Sequence, residues 1–199
     1  MKNEKAAVEA EHKKGDMGRF GAGLPAIGDS QQLFVLNGVA KLKDTGRMAI
    51  IQNGSPLFKG DAGSGESNIR GFLIDNDWLE AIIQIPNDMF YNTGIATYIW
   101  IVTKDKVVER TGKVQLIDAS KCCVKRRKPL GNKRNEFTDD CINLIVRAYG
   151  EFKDGVFSDE GNGLKVEVKI KENEDFKYTK VVVEQPVCDE TGKPVLKKG

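Results

Sequence analysis

The sequence predicts an α/β fold, and three observations carry that prediction. Two short runs, residues 47–52 and 79–85, are apolar with almost no polar alternation, the pattern of strands covered on both faces. Segments with helical caps and broad apolar faces precede and separate them. A third run, residues 95–103, is rich in Ile, Val, Tyr and Trp and follows a loop instead of a helix. Strand, helix, strand, loop, strand is an α/β order.

The elements follow in turn. Residues 3–14 predict a helix: Asn3 is a candidate N-cap, the interior is rich in Ala, Glu and Lys, and Gly15 stops it. Its His12, the single histidine, is expected to be a surface residue without a partner. A Gly/Pro-rich stretch (15–28) leads to Asp29 and Ser30, which offer caps for a second helix. Leu33, Phe34, Leu36, Val39, Ala40 and Leu42 give that helix its apolar face. The strand at 47–52 breaks at Asn53-Gly54-Ser55-Pro56. Residues 60–66 predict a loop whose backbone N–H groups could hold an anion or simply remain solvated. Ser67 is the candidate cap of a helix carrying Ile69, Phe72, Leu73 and Ile74. Pro86 ends the second strand, and a loop at 87–94 leads into the third.

Beyond Lys104 the character changes. Residues 113–117 suit a short strand, and Thr138 caps a helix through Cys141, Ile142, Leu144, Ile145, Ala148 and Tyr149. The alternating segments 164–171 and 176–184 predict a two-stranded appendage, and residues 189–199 a polar tail. The resulting organisation is residues 1–104, an extension at 105–186, and the tail at 187–199.

Composition narrows the function classes. Forty per cent hydrophobic and 30% charged residues in a 199-residue chain suit a folded domain with its own core. No apolar run approaches the roughly 20 residues that cross a bilayer, and the N-terminus has no apolar signal core, so a cytoplasmic protein without a membrane partner is expected. Cys122, Cys123, Cys141 and Cys188 form no C-x-x-C pair and read as reduced thiols. One histidine excludes a Ser-His-Asp triad by any obvious pairing, and a multi-His metal site as well. Neither G-x-G-x-x-G after a strand nor G-x-x-x-x-G-K-[ST] occurs. The net charge of +2 is nearly neutral, yet Lys121, Lys125, Arg126, Arg127, Lys128, Lys133 and Arg134 crowd one short segment. Such a cluster contacts DNA phosphates or is a solvated basic loop.

Longer motifs are more specific. Ile50-Ile51-Gln52-Asn53-Gly54-Ser55-Pro56-Leu57-Phe58, Gly65-Glu66-Ser67-Asn68-Ile69-Arg70 and Asn76-Asp77-Trp78-Leu79-Glu80-Ala81-Ile82 are followed by Ile85-Pro86-Asn87-Asp88-Met89-Phe90-Tyr91-Asn92-Thr93-Gly94-Ile95-Ala96-Thr97. With Val114-Gln115-Leu116-Ile117-Asp118-Ala119, residues 18–25 and residues 178–186, these runs resemble the M subunits of type I restriction–modification systems, adenine-specific DNA methyltransferases. The resemblance implies the later part of a Rossmann-like, S-adenosylmethionine-dependent methyltransferase fold: the last three sheet strands with their helices, plus a small C-terminal α+β appendage. It implies DNA, a specificity subunit and a restriction subunit as partners, and adenine in a bipartite site as substrate. The family's glycine-rich cofactor motif and Asn-Pro-Pro-aromatic motif lie upstream of the matched region, so this piece is expected to hold no catalytic residue, to bind no cofactor and to be inactive alone. The alternative is a remnant that only binds DNA or subunits. By analogy with adenine methylases, Phe90 is the candidate that stacks a flipped adenine, with Tyr91, Asn92, Thr93 and Gly94 shaping its loop; the other reading packs Phe90 beneath that loop. Asn53 and Ser55, at the carboxyl end of a strand, are weaker candidates for DNA contact. Lys125, Arg126, Arg127 and Lys128 are the candidate phosphate contacts. The family strand order leaves one side of 47–52 unpaired, so self-association through that edge is expected.

Overall fold

A computed structural model, which describes residues 4–185 and Cys188, gathers the apolar runs into one six-stranded sheet. Helix α1 (Lys5–His12) begins with Glu4 at the N-cap position. Asn3, the expected cap, lies outside the described residues, as do Pro186 and the tail at 189–199. Contrary to expectation His12 has a partner: its Nδ1 lies 2.6 Å from the Phe20 carbonyl oxygen, which fastens α1 to the segment that follows it.

Helix α2 (Gln31–Lys41) starts where predicted, with Ser30 at the N-cap position. Ser30's side chain makes no cap hydrogen bond, and the Asp29 carboxylate instead accepts from the Gln31 backbone N–H at 3.3 Å. Leu33, Val35, Leu36 and Val39 are the buried stripe. Phe34, expected on that face, is exposed because the helical repeat carries it to the opposite side, and Ala40 is exposed in the last turn of the helix. Strand β1 (Arg47–Asn53) passes into a single turn, α3 (Ser55–Phe58), and then into α4 (Gly65–Asp75). The cap of α4 is Ser64 and not Ser67: the Ser64 hydroxyl accepts from the Ser67 N–H. Ile69, Leu73 and Ile74 turn inwards, while Phe72 meets Trp78 edge to face with ring centroids 5.3 Å apart.

Strand β2 (Leu79–Ile85) has the predicted bounds, and β3 (Thr97–Thr103) begins two residues late. Strand β4 (Lys113–Asp118) precedes a hairpin, β5 (Val124–Leu130) and β6 (Lys133–Glu136). Helix α5 (Asp139–Glu151) is capped as predicted by Thr138, whose hydroxyl accepts from the Cys141 N–H. Strands β7 (Gly155–Asp159) and β8 (Leu164–Glu172) close the sheet. Contrary to expectation, 164–171 does not pair with 176–184. β8 pairs with β7 and β4, and residues 177–185 form no strand. Alternation in β8 buries Leu164, Val166 and Val168, and five residues upstream the β7 segment offers a partner through a short turn.

The strand order is β1-β3-β2-β4-β8-β7, and only the β2/β4 neighbours run parallel. β1 and β2 nevertheless point the same way, since each is antiparallel to the β3 strand between them. One sheet thus carries both sides of position 104. Helices α2 and α4 cover one face, packing Val35, Val39, Leu73 and Ile74 on Trp100, Val102 and Val114. Helix α5 covers the other with Cys141, Leu144, Ile145 and Ala148 on Ile83, Ile117, Val166 and Val168. That second cover stops short of β1. Arg47, Ala49 and Ile51 are exposed, so the expectation that β1 is covered on both faces holds for one face only.

The opposite rim of the sheet, where β2 begins, holds a buried charge cluster. Glu80 is 1% exposed, with the Tyr149 hydroxyl donating to it at 2.7 Å and the Arg47 and Arg110 guanidinium groups 3.1 and 3.5 Å away. Arg110 lies between the Tyr149 and Phe152 rings and donates to Gln115 Oε1 at 3.0 Å. Burial and the hydrogen bond to Glu80 push the Tyr149 hydroxyl up to about 12. Each buried charge has an opposite partner, the condition under which such groups are tolerated.

Candidate nucleic-acid interface

Register places the sequence-predicted residues at one end of the sheet. Asn53, Thr97 and Ile85 form a row across β1, β3 and β2, so the Asn53–Ser55 turn and the loop from Pro86 to Ala96 leave from the same end. β4 runs parallel to β2 and pairs Asp118 with Gln84, so the chain enters the basic hairpin from that end too. In open α/β sheets this is the end at which ligands bind.

The loop after β2 is shaped by its own residues. Asp88 takes a positive φ of 57°, and Met89 is buried beneath the turn. Phe90 and Thr93 form an isolated bridge, and the Thr93 hydroxyl accepts from the Ile95 N–H at 3.3 Å. Gly94 leaves room for the Asp88 carboxylate, since a Cβ there would lie 2.5 Å from it and make it shift. Phe90 is half-buried and packs against the α5-side cluster, while Tyr91 and Asn92 stand exposed at the tip. Asn53 is already engaged: its side chain accepts from the Ser55 N–H at 2.9 Å, and its own N–H donates to Gln31 at 2.9 Å. Ser55 opens α3 beside it.

The basic segment is a two-stranded hairpin and not a loop. Gly131 and Asn132 make the two-residue turn, with φ of 61° at Gly131. A Gly-Asn pair between two short extended runs is a hairpin signal, masked in this sequence by the charge of the strands. Lys125, Arg127 and Lys128 are exposed and make no ion pair among the described residues. Arg126 is half-buried and bound to the Glu136 carboxylate across the strands, which offsets its charge.

The hairpin is fastened to the Phe90 loop, a contact the sequence did not disclose. The Asn132 N–H donates to the Tyr91 carbonyl at 2.9 Å, and the Arg134 and Asn135 N–H groups donate to the Asp88 carbonyl at 2.9 and 3.1 Å. The Asn135 side-chain amide donates to the Asn87 carbonyl at 2.8 Å. The loop that carries Phe90 and the basic hairpin are therefore joined. A groove of about 410 Å³, lined by Leu57, Gln84, Tyr98, Leu116, Asp118 and Phe176, opens on the other face of the sheet and does not merge with them.

Groups that hold metals or cofactors are a separate question. Among the described residues no cluster of His, Cys, Asp or Glu is arranged to ligate a metal, and no helix is long and apolar enough to cross a membrane. The glycine-rich turn at 60–65 does not fit an S-adenosylmethionine cradle. It lies between two helices instead of behind a strand, and its Ser64 hydroxyl caps α4. The nearby Arg70 guanidinium already donates to the Pro56, Lys59 and Gly60 carbonyls.

Comparison with known proteins identifies the family of the chain. The family model described as N-6 DNA Methylase matches residues 3–190. The MjaVIII type I restriction enzyme methylase subunit of Methanocaldococcus jannaschii is 36% identical over 108 residues, covering 54% of this chain and 18% of that protein. The EcoKI methylase subunit of Escherichia coli is 28% identical over 134 residues, covering 64% of this chain and 24% of that protein. The chain thus spans about a quarter or less of the length of these relatives. Among solved structures, a type I restriction-modification system methyltransferase subunit from Streptococcus thermophilus superposes with a TM-score of 0.65 at 28% identity, over 79% of this chain and 30% of that one. With the family model matching nearly end to end, the chain belongs to the N-6 DNA methylase family.

Proposed function

We propose that this chain is part of the modification subunit of a type I restriction–modification system, and that its share of adenine N6-methylation is to receive the target base and hold the flanking DNA backbone. Phe90 stacks the extrahelical adenine, and Lys125, Arg127 and Lys128 on the hairpin take phosphates on either side of it. Arg126 supports that surface through Glu136. Asn53 and Ser55, at the same end of the sheet, border the path of the DNA. DNA, a specificity subunit and a restriction subunit are the partners of the assembled enzyme. S-adenosylmethionine supplies the methyl group in the longer members of the family; the residues present here do not fit it, and no step involving it is assigned to them. Residues 1–104 form the methyltransferase part in this reading, with 105–186 its extension.

The observation that carries the reading is the fastening of an exposed basic hairpin to the aromatic loop at the carboxyl end of the sheet. A static contact between the loop that carries a stacking residue and a phosphate-binding arm suits a base-flipping surface, because both must hold one nucleotide and its neighbours in register. Titrating the chain with a duplex that carries one unpaired adenine tests it. Stacking of a base on an aromatic ring is worth about 1–3 kcal/mol, so Phe90→Ala should weaken that complex by roughly five- to 150-fold and leave the fully paired duplex unchanged. Equal affinity of parent and variant for the unpaired adenine would show that Phe90 only packs beneath its loop.

A further inference from the structure

Four hydrogen bonds join the β5–β6 hairpin to residues 87–91, and they end on main-chain carbonyls of the loop. A loop held only by its own turn would be free to choose among conformations; this one has its first residues clamped from outside. Asn135 makes two of the four bonds, from its backbone N–H to Asp88 and from its side chain to Asn87. It stands directly opposite Lys125 in the hairpin register, so the clamp and an unpaired cation share one face. At the hairpin tip the approach is closer still. Gly131 has a positive φ of 61°, and a Cβ at that position would lie 2.7 Å from the Tyr91 carbonyl oxygen. Any side chain there would push the arm off the loop.

We infer that Asn135 is a positioning residue for the target base: through Asn87 and Asp88 it fixes the loop that presents Phe90, and so couples phosphate contact on the hairpin to seating of an extrahelical purine. The inference rests on the proposed stacking role of Phe90. Its physical content is a difference in order. With the clamp in place the ring is presented in one orientation before DNA arrives, and the cost of ordering the loop on binding is already met. Without it the hairpin keeps its charges and still meets duplex backbone, but the loop samples other conformations and the base is seated less often. Asn135→Gln keeps the amide donor on a longer stem and restores part of the clamp, whereas Asn135→Ala removes the side-chain bond to Asn87 and loosens the clamp to its three main-chain bonds.

The test uses the whole chain and a duplex with a single unpaired 2-aminopurine, whose emission changes when the base stacks on a ring. Asn135→Ala should weaken binding of that duplex about tenfold, the scale of one hydrogen bond removed, and diminish the emission change. Its affinity for a fully paired duplex should equal the parent's, because no cation has been removed. Amide exchange at residues 88–93 should quicken by a similar factor while that of β2 and β3 stays slow, Asn135→Gln should fall between, and Gly131→Ala should repeat the effect from the other end of the contact. A parent that shows an emission change abolished by Phe90→Ala, alongside an Asn135→Ala variant indistinguishable from it, overturns the positioning role and leaves the stacking role standing. A parent without any emission change removes the stacking role itself, and the inference with it.

Discussion

Asp77 ends the turn after α4 with a positive φ of 57° and ties three separate stretches of chain together. Its carboxylate accepts from Lys106 at 2.5 Å, from the Gly112 N–H at 2.9 Å and from the Asn173 amide at 2.9 Å. Burial by itself raises this carboxyl, but the hydrogen bonds from Lys106, Gly112 and Asn173 outweigh it and hold it below the ordinary 3.8. Burial also lowers the Lys106 ammonium, so the lysine depends on its partner. A carboxyl depressed in the folded state contributes stability above its unfolded value and loses that contribution as the pH falls through the folded one. Asp77→Asn retains the shape and a residue tolerant of positive φ, and should cost ~2 kcal/mol near neutral pH. Urea unfolding should show the gap between parent and variant closing as the pH is taken from neutrality to below 3.8; a gap constant with pH would mean that the charge is immaterial. At Cys122 the same physics acts without a partner charge: burial pushes its thiol up to about 12, so it stays protonated and inert.

At the scale of elements, the hairpin is where charge, turn and packing meet. Its strands are too polar to be drawn into a core, and its place is set by main-chain hydrogen bonds to the Phe90 loop. Of the four candidates Lys125, Arg126, Arg127 and Lys128, the exposed group keeps Lys125, Arg127 and Lys128, since Arg126 is bound to Glu136 across the strands. Changing Lys125, Arg127 and Lys128 together to glutamine should weaken DNA binding at low salt. The plot of log affinity against log salt should become shallower by about 0.9 for each phosphate that the hairpin no longer neutralises. A slope that does not move would place these cations in solvent.

At the scale of the whole molecule, the two edge strands of the described sheet, β1 and β7, are each paired on one side only. β1 pairs with β3 on one side and with no strand on the other among the described residues. Its outward face carries Ile51, 52% exposed, in register with Ile99 on β3. No proline or bulge protects that edge, and an unpaired strand beside apolar surface invites a second chain. The purified chain is therefore expected to sediment as a dimer or larger species. Ile51→Lys should shift it towards monomer; the inward-facing Ile50 packs with the α2 side of the core, so a lysine there would unfold the strand instead. A clean monomer whose amides at 48–51 exchange as slowly as those at 97–101 would show that the edge is already protected.

What the sequence determined by itself is the first strands of the sheet, helix α5 and the family. Apolar runs at 47–52 and 79–85, a Thr138 cap and unbroken motif strings are local properties, written in consecutive residues, so the strands, α5 and the kinship could be read from them. Tertiary structure decided what depends on partners far along the chain. Leu164–Glu172 carries the alternation of a strand, but alternation does not name a neighbour, and the choice of β7 and β4 over 176–184 was made by packing against α5. Phe90 was legible as a candidate because its motif is contiguous. Asn135 was not, because its meaning lies in two carbonyls almost fifty residues away, and a hydrogen bond to a main-chain oxygen leaves no mark on the identity of the residue that accepts it.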